Sequence, residues 1–401
     1  MSVIGDMFEE YIKKIVSQHM EENPMLIVEP TFVAKLLNHV KLTYPKNTAI
    51  TEIIEYWYKN INDILRSLQI IRSDVTYEYC KLDEPRYESI ITYLQGVHQP
   101  EQRTNEWYLY RYNHLTASNA WKTFGTQSSK NELIYEKCNP MNISKYGPSL
   151  SESPMTWGHK YEPLTAKIYE HLNKTQISDF GCIEHKDYPF LAASPDGIVT
   201  GDINYGRMIE IKNVVSREIS GIPKKDYYIQ MQLQMEVCDL DECDFVETKF
   251  TEYNFESDFI EDNKESNVLH PIKKGVICSF IKDGTSFHYE YMPFDYEGTY
   301  TEWLRQVIET TTANNRYVWF RNLFWKLEVY SCVLVKRQTV WFKHAVKELA
   351  EIWKIICEER LNGEYYKRSP KKRDASKLKV VKLNADEKDK NLNSLFDMAD
   401  E

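Results

Sequence analysis

Between positions 162 and 234 the chain spaces carboxylates, a lysine and glutamines at intervals that suit metal-assisted hydrolysis. Glu162 stands just before Pro163 in a stretch of helical periodicity. Ser194-Pro195-Asp196-Gly197 follows the apolar run FLAAS. Glu210-Ile211-Lys212 lies inside the alternating run RMIEIK, and Gln230, Gln232 and Gln234 lie along PKKDYYIQMQLQMEVC. Strand residues two apart point to the same face, so Glu210 and Lys212 project together while Ile211 packs on the other side. Asp196 falls at a tight turn closing the preceding strand. The connection 198–206, with Gly201, Asp202, Asn204 and Gly206, suits a hairpin that returns 207–212 beside 190–199. Asp196 and Glu210 then converge on one hard cation, because carboxylates, water and phosphate oxygens are the ligands Mg²⁺ takes. Such an ion lowers the pKa of a bound water and neutralises charge building on a phosphoryl group. Lys212 beside it would hold the attacking water or act as a point charge on the transition state. Gln230 and Gln234, four apart, share a helix face that could orient a water or a phosphate, and Gln232 lies off it. Each fragment alone is commonplace, since E-x-K is usually a solvated strand pair and SPDG usually a turn. Their order is what carries information.

These residues need elements to hold them. Apolar residues three and four apart predict helices over 8–20, 31–40 and 51–71, punctuated by Pro24, Pro30 and Pro45. From about 100 the texture changes. Residues 103–125 read as one or two helices and 156–173 as another, starting near Pro163 because proline is tolerated in a first helical turn. Strands are expected at 190–194, 207–212, CDFVETKF, KGVICSFI and SFHYEYMP, the last two joined by Asp283-Gly284, and at 326–337. A helix is expected over 223–238, and a long one over 339–363 stopped by Gly363. The division is a helical N-terminal module (1–98), a catalytic domain (99–364) and a charged tail (365–401) expected to be disordered.

Composition narrows the class. The 401 residues hold 50 Lys and Arg against 60 Asp and Glu, for a net charge of −10, so any nucleic-acid contact must use a local basic surface. The sign is uneven: 367–382 carries eight Lys and Arg against one acid, and 383–401 carries six acids against two Lys. No apolar run approaches the ~20 residues a membrane span requires. The N-terminus lacks the apolar core of a secretory signal. Eight cysteines with no CxxC pair predict reduced thiols in an intracellular compartment, and argue against a zinc or iron–sulfur site.

The combined pattern resembles the lambda-exonuclease-like (YqaJ-type viral recombinase) branch of the PD-(D/E)xK nucleases. The matching elements are W-x3-R-x4-TAS from Trp107 to Ser118, WGHKYEP at 157–163, SPDG at 194–197, EIK at 210–212 and YIQMQ at 228–232. They fall in the family's order, over roughly 103–355, and the N-terminal module with its Tyr-, Asn- and Lys-rich texture is similar to versions carried by large DNA viruses. The resemblance implies an α/β fold, a mixed central sheet flanked by helices. It implies Mg²⁺-dependent 5′→3′ digestion of duplex DNA, with Mn²⁺ as a substitute, releasing mononucleotides and leaving 3′ single strands for viral recombination, repair or genome processing. By the same resemblance Asp196, Glu210 and the Ile211 carbonyl are metal ligands, Glu162 helps hold metal or water, Lys212 positions the water, and Gln230 supports the water or the scissile phosphate. Arg111 and Ser118 match positions that receive a 5′-phosphate, with Trp107 one turn earlier on the same helix. A ring-shaped trimer, a single-strand annealing partner and a location in the host cytoplasm or nucleus are further implications. Two rival readings stay open: a structure-selective or nicking endonuclease on the same fold, and a catalytically inactive nucleic-acid-binding protein.

Overall fold

The computed structural model describes residues 84–141, 150, 153–262 and 273–369, with the isolated positions Lys14, Gln18 and Arg72. Apart from Lys14 and Gln18, which are helical, the three helices expected between 8 and 71 and the charged run beyond 369 lie outside the described residues.

A seven-stranded mixed sheet organises the chain. In sequence order its strands are β2 (Ile177–Ser178), β5 (Gly197–Val199), β6 (Met208–Asn213), β7 (Glu242–Glu252), β8 (Lys274–Lys282), β9 (Ser286–Tyr291) and β10 (Tyr317–Lys336). In space the order is β2-β5-β6-β7-β10-β8-β9, and only the β6–β7 pair is parallel. A parallel pair needs a crossover, supplied by the helix Lys225–Cys238. A second sheet is formed by β1 (Leu115–Thr116), β3 (Ile183–Glu184) and β4 (Leu191–Ala193), with β4 in the middle. From residue 84 on, among the described residues, the α-helices in chain order are α1 (Glu84–Gly96), α2 (Asn105–Tyr112), α3 (Ala117–Ala120), α4 (Gln127–Cys138), α5 (Pro154–Asn173), α6 (Lys225–Cys238), α7 (Glu256–Glu261), α8 (Tyr300–Thr312) and α9 (Thr339–Asn362). None of them is long and apolar enough to cross a membrane.

The sheet separates apolar layers. On one face Met208, Cys243, Phe245, Val333 and Val335 pack with α6 residues such as Tyr228 and Met231 and with Trp341 and Leu349 of α9. On the other, Ile209, Ile211 and Val246 pack against Tyr169 of α5. Period-two alternation in β6 therefore sends Met208 and Glu210 toward α6 and Ile209 and Ile211 toward α5.

The structure corrects three boundaries. The helix around Glu162 starts at Pro154 and not at Pro163. Ser153 and Thr156 form a reciprocal capping box with Pro154 in the first turn, so that Pro163 lies inside the helix. The hairpin expected to return 207–212 beside 190–199 pairs it with β5 alone: β4, at the expected strand 190–194, belongs to the small sheet and β5 to the large one, and Asp196 sits at the break between them. The strand expected at 326–337 begins at Tyr317, lengthened past Glu328 and Phe320 by two register shifts that absorb an extra residue each. The helix 127–138, capped by Thr126, has no counterpart among the expected elements. Gly363 ends α9 in the left-handed region (φ 73°), as expected.

Candidate active site

Asp196 leaves the chain where β4 has ended and β5 has not begun. Gly197 permits this exit, because a Cβ there would lie 2.2 Å from Cγ2 of Ile177 on the neighbouring β2. The Asp196 carboxylate reaches across the end of β5 and accepts the Ile211 backbone N–H at 2.7 Å. The N–H and C=O of one strand residue face the same edge, so the Ile211 carbonyl opens toward the same place. The hairpin expected between 198 and 206 forms, pairing Gly197 with Ile209 and Ile198 with Met208.

Glu210 is wholly buried and is held from two sides. Lys212, two residues on and on the same strand face, donates to its Oε1. From α6, Gln230 Nε2 donates to Oε1 at 2.7 Å and Gln234 Nε2 to Oε2 at 2.8 Å. Gln232 points elsewhere, bonding the Lys336 carbonyl and the Gln338 N–H. The helical spacing thus sorts the three glutamines, two onto the carboxylate and one onto the scaffold.

Glu162 stands across the cleft on α5. Its Oε1 accepts from Arg103 Nη2 at 2.8 Å. Arg103 was not among the expected site residues. It adopts a left-handed backbone (φ 67°), uncommon for a side chain of its size, just before the capped start of α2. Gln102 beside it bonds the Pro195 carbonyl at 3.1 Å and so ties this turn to the SPDG segment. Together Gln102, Arg103, Glu162, Pro163, Asp196 and Ile211 border a cleft of about 570 Å³.

The charges crowd. Burial, then repulsion from Glu210 and Glu162, pushes the Asp196 carboxyl well above the usual range. Burial raises Glu162 too, although Arg103 and Lys212 oppose the shift. Burial works against the Lys212 ammonium, but Glu210 and Asp196 more than offset it and hold its pKa above the ordinary lysine value. Among the described residues no three His, Cys, Asp or Glu side chains form a closed metal cluster. Asp196, Glu162 and the Ile211 carbonyl nonetheless border one cleft as an all-oxygen donor set, where repelling carboxyls leave negative charge for a divalent cation to neutralise. That chemistry fits a hard cation.

A second cleft, of about 450 Å³, lies beside α2. Arg111 stacks on Trp107 with its guanidinium carbon 4.2 Å from the ring centroid, and its Nη2 donates to Ser118 Oγ at 2.8 Å. Trp107 Nε1 in turn bonds Ser194 Oγ at 3.1 Å, joining this cluster to the SPDG turn. The structure therefore brings Trp107, Arg111 and Ser118 together and links them to the strand break carrying Asp196. The seven described cysteines are all unpaired thiols.

Residues 106–241 match the YqaJ-like viral recombinase domain, a segment holding every site residue named above except Gln102 and Arg103. Over 307 residues the chain is 27% identical to an uncharacterised protein of Acanthamoeba polyphaga mimivirus, covering 68% of this chain and 55% of that protein. The chain thus spans about half the length of this curated relative. Among solved structures it is similar to LHK-Exo, an alkaline exonuclease from Laribacter hongkongensis, in complex with dAMP; identity is 20% and the TM-score 0.37, over 66% of this chain and 97% of that one. It is also similar to a phage related exonuclease from Haemophilus somnus, at 14% identity and a TM-score of 0.34, over 64% of this chain and 99% of that one.

Proposed function

We propose that this chain, with a YqaJ-like viral recombinase domain over residues 106–241, is a divalent-metal-dependent deoxyribonuclease that digests duplex DNA from a 5′ end. The observation that carries the reading is the Glu210 cluster: a buried carboxylate held by Lys212, Gln230 and Gln234, adjoining an Asp196 that hangs from a strand break into an open cleft. Asp196, Glu210, the Ile211 carbonyl and Glu162 would hold the cation, with Mg²⁺ the expected ion and Mn²⁺ its substitute. When bound, such a cation lowers the pKa of a coordinated water and offsets phosphoryl charge. Glu210 fixes Lys212 in place, and Lys212 keeps its proton through the neutral range, serving as a positive charge for the developing phosphorane and not as the base. Gln230 and Gln234 set the orientation of Glu210. Arg111, flattened on Trp107 and bonded to Ser118, is preorganised to receive a terminal phosphate, for which a guanidinium is well shaped.

The test uses end-labelled linear duplex and covalently closed circular DNA, with Mg²⁺ or EDTA. Linear DNA should be digested and circles spared, with no cleavage in EDTA. Degradation of circles at an equal rate would reject action from ends. Lys212→Ala should still bind linear duplex in Ca²⁺ with near-normal affinity while its rate falls, the signature of an interaction made in the transition state. Normal turnover with weakened binding would reduce Lys212 to a phosphate contact.

A further inference from the structure

Lys137 lies at the end of α4 with its side chain almost entirely buried, 5% exposed overall, and it lines the second cleft together with Arg111, Trp107, Thr116, Asn119 and Tyr135. Its ammonium donates to the Arg111 backbone carbonyl. Among the described residues it makes no ion pair with a carboxylate. Glu136, the neighbouring acid bordering the same cleft, is engaged by Lys122 at 2.9 Å. From α9, Arg360 reaches in. It donates Nε to the Lys137 carbonyl at 2.8 Å and Nη2 to the Tyr112 carbonyl at 2.6 Å, and it stacks on Tyr112.

A buried ammonium without a carboxylate is costly, because desolvation is not repaid by an opposite charge. Here the cost is increased by two neighbouring guanidinium groups. Burial first, then Arg111 and Arg360, pushes the Lys137 pKa down to about 7, with Cys182 and then Glu136 opposing to a lesser degree. Core packing alone does not require this, since a methionine or leucine would fill a similar volume without charge. An anion in the cleft would relieve the repulsion and complete the hydrogen bonding of the ammonium, which has three donors.

We propose that Lys137 is a specificity-determining residue for a 5′-terminal phosphomonoester, the second cation of a pocket whose first is Arg111. This rests on the reading of the second cleft as the place where the DNA end is received. One guanidinium satisfies the single charge of an internal diester. A terminal phosphomonoester carries about −1.5 to −2 at neutral pH, and a second, desolvated cation rewards that extra charge. The cleft is larger than a phosphate alone, and Tyr108, Tyr112 and Tyr135 give it aromatic walls for the terminal sugar and base.

The experiment compares full-length wild type, Lys137→Met, Lys137→Gln and Lys137→Arg on one linear duplex bearing either a 5′-phosphate or a 5′-hydroxyl. Initial rates are measured in Mg²⁺, affinities by anisotropy in Ca²⁺, and folding by thermal melting. Wild type should prefer the phosphorylated end. Both neutral variants should lose roughly ten- to hundredfold of that preference, the worth of a charged hydrogen bond, with melting temperatures no lower than wild type. Lys137→Arg should keep most of it. A preference unchanged in both neutral variants, or a loss falling equally on the two ends, would overturn the role of Lys137. A wild type indifferent to the 5′-phosphate would instead overturn the end-recognition reading itself.

Discussion

At the scale of single residues the site is a balance of buried charges. Asp196 is repelled by Glu210 and Glu162 and compensated in part by Lys212 and the Ile211 N–H. A carboxyl whose folded pKa is raised binds more protons in the native state than in the unfolded one across the window between the two values. Stability therefore falls as pH rises through that window. Asp196→Asn removes the titration. In EDTA its melting temperature should exceed that of wild type by a margin that widens with pH, at about 2–4 °C for each ~1 kcal/mol of repulsion relieved. Adding a divalent cation at pH 8 should raise the melting temperature of wild type but scarcely move the variant. A variant that melts lower than wild type at every pH, yet still responds to metal, would show that Asp196 is structural. Much of this constellation was readable in the sequence. Strand alternation placed Glu210 with Lys212, and the helical period put Gln230 and Gln234 together. Arg103 and Lys137 were not readable. Arg103 meets Glu162 across 59 positions from a left-handed turn, and Lys137 matters only because the end of α4 meets the end of α2, which no local pattern announces.

At the scale of elements the site depends on strands that stop. β4 and β5 are nearly contiguous in sequence, yet they pair in different sheets, and the two residues of β2 seal the edge where they part. The sequence places a strand at 190–194 and a turn at Asp196, but not the change of sheet between that strand and 197–199. The division arises from Pro195, which has no N–H to give to a ladder, and from Gly197, whose missing side chain lets Ile177 close over the turn. Gly197→Ala should push β2 outward and destabilise the fold by about 1–3 kcal/mol, the range for overpacking a tight contact. The midpoint of urea unfolding measures this, and an unchanged midpoint would show that β2 yields freely. The relief variant Gly197→Ala/Ile177→Ala should recover part of the loss if Ile177 is the cause. The start of α5 was misread for a related reason: proline marks a helix beginning only where no stronger cap lies upstream, and Ser153-Pro154 is such a cap.

At the scale of the whole molecule, α9 closes the described fold. Arg360 near its end holds the ends of α2 and α4 at once, so the charge state of Lys137 is coupled to the packing of three helices. The consequence is a stability that depends on pH with a defined sign. Lys137 has an ordinary value of 10.5 and a folded value of about 7. Between these limits the unfolded chain binds the proton that the native protein has released, so unfolding takes up protons and stability rises with pH. Below about 7 both states are protonated and the full cost of the buried ammonium is present. Above about 10.5 both are neutral and the cost is gone. Lys137→Met removes the group at every pH. Its advantage over wild type in the free energy of urea unfolding should be greatest at pH 6.5 and should shrink steadily toward pH 10. Other titrating groups, including Asp196 and Glu162, shift both proteins alike and cancel in the difference. An advantage that is flat across this range, or that grows with pH, would mean that the lysine holds its proton in the fold through a compensating anion. Repeating the series with a 5′-phosphorylated duplex end present should produce that flattening in the complex.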